Sequence, residues 1–396
     1  MVMPFDGVFN GRKVFVTGHT GFKGSWLCLW LKRLGAEVVG YALAPPTTPS
    51  HFELADVTGQ LVESHEGDIR DYPTLSRAMQ DAQPDIVLHL AAQTVVRESY
   101  RIPRETFDIN AVGTASVLDA VRELNRPCTV LCITSDKCYE NVEQLWGYRE
   151  TDSFGDHDPY GGSKGAAEIV VRSYRHSFFP PERLDQHGVK LASARAGNVI
   201  GGGDWTSDAL IVDLVKSLEN ATPVELRNPH AYRPWQHVLQ ALSGYLTLVQ
   251  RMLQTDDATF CEGWNIGPLP GNELSVKGVV ETFLEEWGTG SWRDVSHPDQ
   301  LREATLLHLA IDKAMWKLPW KPCWTVQESL QKTAQWYKAW FEGLQSVQDV
   351  SLGQIEEYEQ TFVASQQQLF RDRGLLADTD STQRVGAEQA QCSVPT

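Results

Sequence analysis

Across its first 200 residues the chain alternates short apolar runs with stretches of helical period. The apolar runs are KVFVTG (13–18), AEVVGYAL (36–43), DIVLHLAA (85–92), TVLCITS (129–135) and KLASARAG (190–197). Between them, residues 24–35 and segments near 73–81, 104–125 and 159–178 set apolar positions at helical spacing. Nearly continuous apolar strands need cover on both faces, and the intervening helices supply it. The expectation is an α/β fold built on a Rossmann-type doubly wound parallel sheet.

After Gly201 the rhythm loosens. Helical patterns at 208–219, 236–253, 276–288 and 326–343 surround one short strand, GWNIGP (263–268). A first domain over 1–200 is therefore expected, with the helix near 236–253 returning to it. Residues 201–345 should form a smaller, mixed α/β C-terminal lobe for the substrate, packed by Trp316, Trp320, Trp324, Trp336 and Trp340. Over 346–396 the chain turns polar and Gln-rich, which predicts one helix at 351–373 and then a flexible tail.

Composition narrows the partners. With 42% hydrophobic and 22% charged residues the 396-residue chain is globular, and a net charge of −16 argues against nucleic acid, whose phosphates need a basic surface. No apolar run approaches the roughly 18 residues of a membrane span. The opening MVMPFDGVFNGRK lacks the apolar stretch of a signal peptide. The seven cysteines are odd in number and scattered, and Cys128, Cys132 and Cys138 read as small buried residues without a metal. These features point to a cytoplasmic protein.

The first strand-to-helix turn carries candidate chemistry. Gly18, His19, Thr20, Gly21, Phe22, Lys23 and Gly24 form a G-x-x-G-x-x-G loop. Its glycines permit a tight turn, and the helix N-terminus offers free N–H groups to a dinucleotide pyrophosphate. Asp68, followed by Ile69, stands just past the third strand, where a carboxylate can accept from an adenine amino group. Leu90, Ala91 and Ala92 end the next strand with small residues that leave room for a flat cofactor. The second strand ends without the usual ribose-binding acid and without an Arg for a 2′-phosphate, so NAD is preferred to NADP. His89, inside an apolar strand, reads as a core histidine.

Two further groups stand out. Tyr160 and Lys164 lie at i and i+4 on one helix face, where the ammonium can favour a phenolate and hold a ribose hydroxyl. Thr134, Ser135, Asp136 and Lys137 follow one another directly at a strand end, so an acid and an amine sit side by side.

The ordered motifs TGHTGFKGSWL, GDIRD, LAAQT, NAVGT, YGGSK, ARAGNVIGGGDW, RPWQHV and WNIGP resemble the extended short-chain dehydrogenase/reductase family, in its nucleotide-sugar modifying branch. The resemblance covers about 335 residues and is nearest to the branch's 4,6-dehydratases. It implies bound NAD, a nucleotide-sugar substrate with CDP-glucose favoured, and a place in deoxysugar synthesis for lipopolysaccharide or another surface polysaccharide. It also implies a homodimer through a helix bundle, in keeping with apolar residues on more than one face of the helices near 104–125 and 159–178.

The same resemblance assigns roles. Ser135, Tyr160 and Lys164 would oxidise C4 with NAD, and Thr134 would lie against the cofactor. Asp136 and Lys137 replace the Asp-Glu pair common in 4,6-dehydratases, with Asp136 as the acid for the C6 hydroxyl. Lys137 would act at C5 either as base or as a cation stabilising the enolate. Asn198 and Arg233 would hold the nucleotide sugar, Arg233 at the diphosphate, and Arg97 would face the sugar. The alternatives are a nucleotide-sugar 4-epimerase, the same dehydration on a dTDP- or GDP-hexose, and an NAD-binding regulator. Residue chemistry alone leaves the base open.

Overall fold

Seven strands form the central sheet: β1 (Lys13–Thr17), β2 (Glu37–Ala42), β3 (Glu63–Glu66), β4 (Ile86–His89), β5 (Cys128–Ile133), β6 (Val189–Ala196) and β7 (Gly263–Ile266). The computed structural model describes residues 3–297, 306–343 and 345–373. The polar tail expected at 377–396 lies outside them. Strand order is β7-β6-β5-β4-β1-β2-β3, with every pairing parallel. Winding reverses between β1 and β4, so a crevice opens at their C-terminal ends, the usual ligand position of such sheets. β7 lies far along the chain, yet it pairs with β6 in the register Trp264↔Ala194.

Alternation along each strand divides the core in two. Val14 and Val16 pack on one face, under α1 (Phe22–Arg33), and Phe15 packs on the other. That other face is covered by α2 (Tyr72–Ala82), α3 (Gly113–Glu123) and α4 (Pro159–Ser177), whose Leu75, Val117 and Val171 are buried there. The first face also receives α5 (Val238–Gln254), which packs on β5, β6 and α1. α5 is buried almost all round, and its buried residues include the polar Gln240, Ser243, Thr247 and Gln250.

The lobe beyond residue 200 adds three two-stranded pairs, α6 (Val276–Trp287) and α7 (Val326–Glu342). Trp320, Trp324 and Trp336 are buried, Trp320 against Ser243 on α5 and Trp336 against His51, while Trp340 is half-buried and Trp316 is 75% exposed. The final helix, α8 (Val347–Asp372), returns to the first domain. Its Glu359 accepts from Trp30 Nε1 and Arg33 Nε, both at 2.9 Å, and its Phe362 meets Phe5.

The single helix expected near 104–125 is instead Pro103–Phe107, a widened π turn at Asp108–Val112, and then α3. Asn110 explains the irregularity. Its amide is pinned from both sides, accepting from Gln93 N–H and donating to the Gln93 carbonyl and to Ser163 Oγ on α4. A side chain fixed in this way holds the extra residue of a π turn in place.

Buried histidines knit these parts. His51 lies flat on Trp26, with ring centres 4.7 Å apart, and its two nitrogens meet Ser25 Oγ on α1 and Ser351 Oγ on α8. His89 is a core histidine, bound by Thr17 and Thr114. Burial lowers His51, His89 and His237 to about 3, and His19 to about 4. An unfolded imidazole titrates at about 6.5, so between these values the unfolded chain binds more protons. Stability is therefore complete above about 6.5 and declines as pH falls. Urea unfolding should show a lower midpoint at about pH 5.5 than at about pH 7.5, and His51→Gln should flatten the slope. Equal midpoints at both pH values would contradict this.

Candidate active site

The glycine loop crosses the mouth of the crevice. Gly18 has φ +75° and approaches β4 so closely that a Cβ would stand 2.7 Å from Ala91 N. A Cβ on Gly24 would collide with the Gly18 carbonyl. α1 starts here on Gly21, without a side-chain cap, so its first N–H groups are left for an anionic ligand. The cradle fits a dinucleotide pyrophosphate. The His19 and Thr20 side chains turn away to the sheet: His19 Nε2 meets Ser64 Oγ on β3 at 2.8 Å, and Thr20 donates to the Leu43 carbonyl. Phe22 lies against Gly201 and Lys23 is half-buried.

Asp68 stands past β3, as its place in the sequence implies, but both of its carboxylate oxygens are held by Arg70. Hydrogen bonds from that guanidinium keep Asp68 below the usual carboxylate range. Ile69 points into the core against Gly113. Leu90, Ala91 and Ala92 remain half-buried at the crevice.

At the end of β5, Ser135 caps the short turn Asp136–Cys138. Its Oγ donates to Asp136 Oδ1 at 2.9 Å, and the Lys137 N–H donates to the same oxygen. Asp136 Oδ2 is buried without a partner, and a Cβ on Gly197 would stand 3.0 Å from it. Burial raises the Asp136 carboxyl, while the charge of Lys137 and the Ser135 hydrogen bond act against it. The turn that Ser135 caps packs against α4. α4 delivers Tyr160 and Lys164 together, with Asp158 capping its first turn through Gly161 N–H.

Electrostatics here are set by desolvation. Burial lowers Lys164 to about 8, with the charge of Lys23 adding to the effect. Lys23 itself is lowered to about 8 by burial, against the pull of Asp136 and Asp204. Burial pushes Tyr160 up, and Asp136 adds to that rise. The expected lowering of Tyr160 by Lys164 does not prevail. Lys164 Nζ lies 6.0 Å from the ring centre, and desolvation of the phenolate outweighs it. Lys137 Nζ pairs with Asp158 Oδ2 at 3.8 Å.

Beneath this centre runs a buried network absent from the sequence reading. Glu168, one turn beyond Lys164 on α4, accepts from Thr134, Ser193 and Arg195. Thr134 thus directs its hydroxyl into the core. Arg195 also donates to Tyr139, and Tyr139 donates to Asn265 on β7. The i+4 spacing from Lys164 was the only signal for Glu168, and nothing in the sequence pointed to its partner 27 residues away.

The proposed substrate residues are spread wider. Asn198 and Arg233 flank Gly197 and Pro234, which touch each other beside Asp136. The Asn198 carbonyl accepts from Gln236 N–H, and Arg233 Nη1 donates to the Tyr232 carbonyl. Arg97, on a short helix that packs against α4, pairs with Asp208 at 3.0 Å.

Comparison with known proteins shows the family and the fold. A family model described as GDP-mannose 4,6 dehydratase matches residues 15–333. CDP-glucose 4,6-dehydratase of Salmonella typhimurium is 49% identical over 338 residues, which span 85% of this chain and 93% of that protein. Among solved structures, dTDP-glucose 4,6-dehydratase of Streptomyces venezuelae superposes with TM-score 0.69 at 22% identity, covering 84% of this chain and 99% of that one. UDP-glucose-4-epimerase of Stenotrophomonas maltophila gives TM-score 0.71 at 23% identity, with the same coverage. The two solved structures share the fold.

The buried ion pair makes a prediction. Glu168→Gln leaves Arg195 charged and uncompensated, and should cost about 3–5 kcal/mol in urea unfolding. The double change Glu168→Gln with Arg195→Met should recover part of that loss. A single variant as stable as the parent would refute the role given to the pair.

Proposed function

The chain belongs to the GDP-mannose 4,6 dehydratase family, and on that premise we propose that it removes water across C5 and C6 of a nucleotide hexose. The substrate is CDP-glucose and the product CDP-4-keto-6-deoxyglucose, a reading supported by the 49% identity over most of the chain. One observation carries it. Asp136 is buried at the end of β5 with its carboxyl raised by desolvation and one oxygen unpartnered. A carboxyl that keeps its proton can pass it to a departing hydroxyl. Inversion at C4 needs no such group.

The glycine loop would hold NAD, which would supply the hydride acceptor for C4 and the hydride donor for C6. Tyr160 takes the proton of the C4 hydroxyl, Ser135 hydrogen-bonds the same oxygen, and Lys164 holds the cofactor ribose and supports the phenolate. The C4 ketone makes the C5 hydrogen acidic. Asp136 protonates the C6 hydroxyl, which leaves as water. Lys137, paired with Asp158, is suited to stabilising the enolate as a cation, with the role of C5 base as its alternative. Arg233 serves the diphosphate and Asn198 the base of the cleft. Arg97, paired with Asp208, faces the sugar.

The reading includes a homodimer. Phe107, Val112 and Ile169 are exposed on the helices that would form a four-helix bundle, and pairing would cover them. It also places the enzyme in the cytoplasm, where its activated 4-keto-6-deoxyhexose feeds deoxysugar synthesis for a surface polysaccharide. No helix among the described residues is long and apolar enough to cross a membrane.

Incubation with CDP-, dTDP-, GDP- and UDP-glucose, read by mass spectrometry, tests the function. The expected product is lighter by one water and forms fastest from CDP-glucose; unchanged mass with an inverted C4 would mean epimerisation. Asp136→Asn should still oxidise C4, accumulating NADH and a 4-keto sugar that retains its C6 oxygen. Failure of NADH to appear would assign Asp136 to binding or to the first step. If Lys137→Met exchanges the C5 hydrogen with solvent deuterium at the parent rate, Lys137 is not the base. Sedimentation at micromolar concentration should show a dimer, and a monomer would refute the bundle.

A further inference from the structure

Dehydration requires two neighbouring carbons of one sugar to be served by different side chains. Tyr160 acts at C4 and Lys137 at C5, so the two groups must keep a separation matched to adjacent ring atoms. Tyr160 is held by its helix and is 7% exposed. Lys137 has no such constraint of its own. Its ammonium ends a flexible four-carbon stem, and its side chain is 34% exposed. A second group must place it.

The start of α4 supplies that group. Asp158 is the helix N-cap, and its Oδ1 accepts from the Gly161 N–H at 2.9 Å. Its other oxygen, Oδ2, faces the Lys137 ammonium at 3.8 Å, and the Asp158 side chain is only 13% exposed. A cap needs one acceptor oxygen, so the second is left for the lysine. The Lys137 main chain docks at the same place. A Cβ on Gly161 would stand 2.8 Å from the Lys137 carbonyl oxygen, and the Lys137 N–H is held by Asp136 Oδ1 and Ser135 Oγ. Asp136 is turned to other partners. Its Oδ1 receives Ser135 Oγ and the Lys137 N–H, and its Oδ2 lies towards Gly197. Tyr160 stands in the same first turn as the cap. An ion pair this open adds little to stability, so its effect is on position.

We propose that Asp158 is a positioning residue: it caps α4 with one oxygen and with the other sets the Lys137 ammonium beside C5 of the sugar. The group acting at C4 and the group acting at C5 are thereby referred to one helix turn. Asp158 touches no reacting atom and makes or breaks no bond. It works through Lys137, and the proposal rests on the dehydratase reading.

The test uses Asp158→Asn in the whole enzyme, because Asn caps a helix about as well as Asp and removes only the charge. With CDP-glucose in deuterated water, NADH reports C4 oxidation and deuterium entry reports C5. The variant should match the parent in urea midpoint and in NADH formed during the first turnover. Its C5 exchange should slow by about three- to tenfold. In a Lys137→Met background the same change should slow exchange no further, since no ammonium remains to be placed. Asp158→Ser, which also caps without charge, should behave as Asp158→Asn does and serves in its place if that variant folds poorly. Exchange at the parent rate in both capping variants would overturn the proposal. So would an equal slowing in the Lys137→Met background, or a loss of NADH, which would put Asp158 at the C4 step. Those outcomes leave the dehydratase reading standing; a parent that forms no product lighter by one water overturns that reading and this proposal with it.

Discussion

The contact on which the site depends is the ion pair between Glu168 and Arg195, 2.9 Å long, with side chains only 2% and 4% exposed. A pair so deep adds little net stability, because desolvation offsets its Coulomb attraction. Its effect is on position. Glu168 ties α4 to Thr134 at the end of β5 and to Ser193 and Arg195 on β6. Through Tyr139 and Asn265 the network continues to β7. Ser135 follows Thr134 directly, and Lys164 precedes Glu168 by one turn. Fixing the one pair therefore fixes the other, and α4, which carries Tyr160, is held against the turn that Ser135 caps.

Above that network, charge is arranged by burial more than by pairing. Lys23 and Lys164 are both lowered by desolvation, while Asp136 is raised by it. An environment that disfavours every charge shifts a carboxyl towards its protonated form and leaves ammonium groups ready to shed protons or to meet an incoming anion. The same scarcity of water makes proton bookkeeping within the site matter. The structure thus links a packing constraint in the core to the proton inventory of the catalytic turn.

Much of this was legible in the chain, and the reasons are local. Continuous apolar strands announce a parallel sheet, and the three glycines at the first turn mark a close approach that Gly18 makes against Ala91. Tyr160, Lys164 and the run from Thr134 to Lys137 are near neighbours in sequence and stay together in space. What escaped depends on contacts between distant segments. Capture of Asp68 by Arg70 is short in sequence but set by rotamers, and the Arg97–Asp208 pair joins segments 111 residues apart. The π turn at Asp108–Val112 follows from Asn110 bonding to Gln93 and Ser163, which periodicity cannot register. α8 gave only a weak helical pattern, because its buried stripe is recognised by Trp30, Arg33 and His51 on the first domain.

The central claim is that one buried centre both oxidises C4 and reduces C6 of the same sugar. Supplying the proposed substrate with deuterium at C4 tests it most directly. The account predicts that the deuterium moves to C6 within the same molecule, with no loss to solvent, in a product lacking the C6 oxygen. Deuterium retained at C4, or product formed with deuterium washed into the medium, would contradict it.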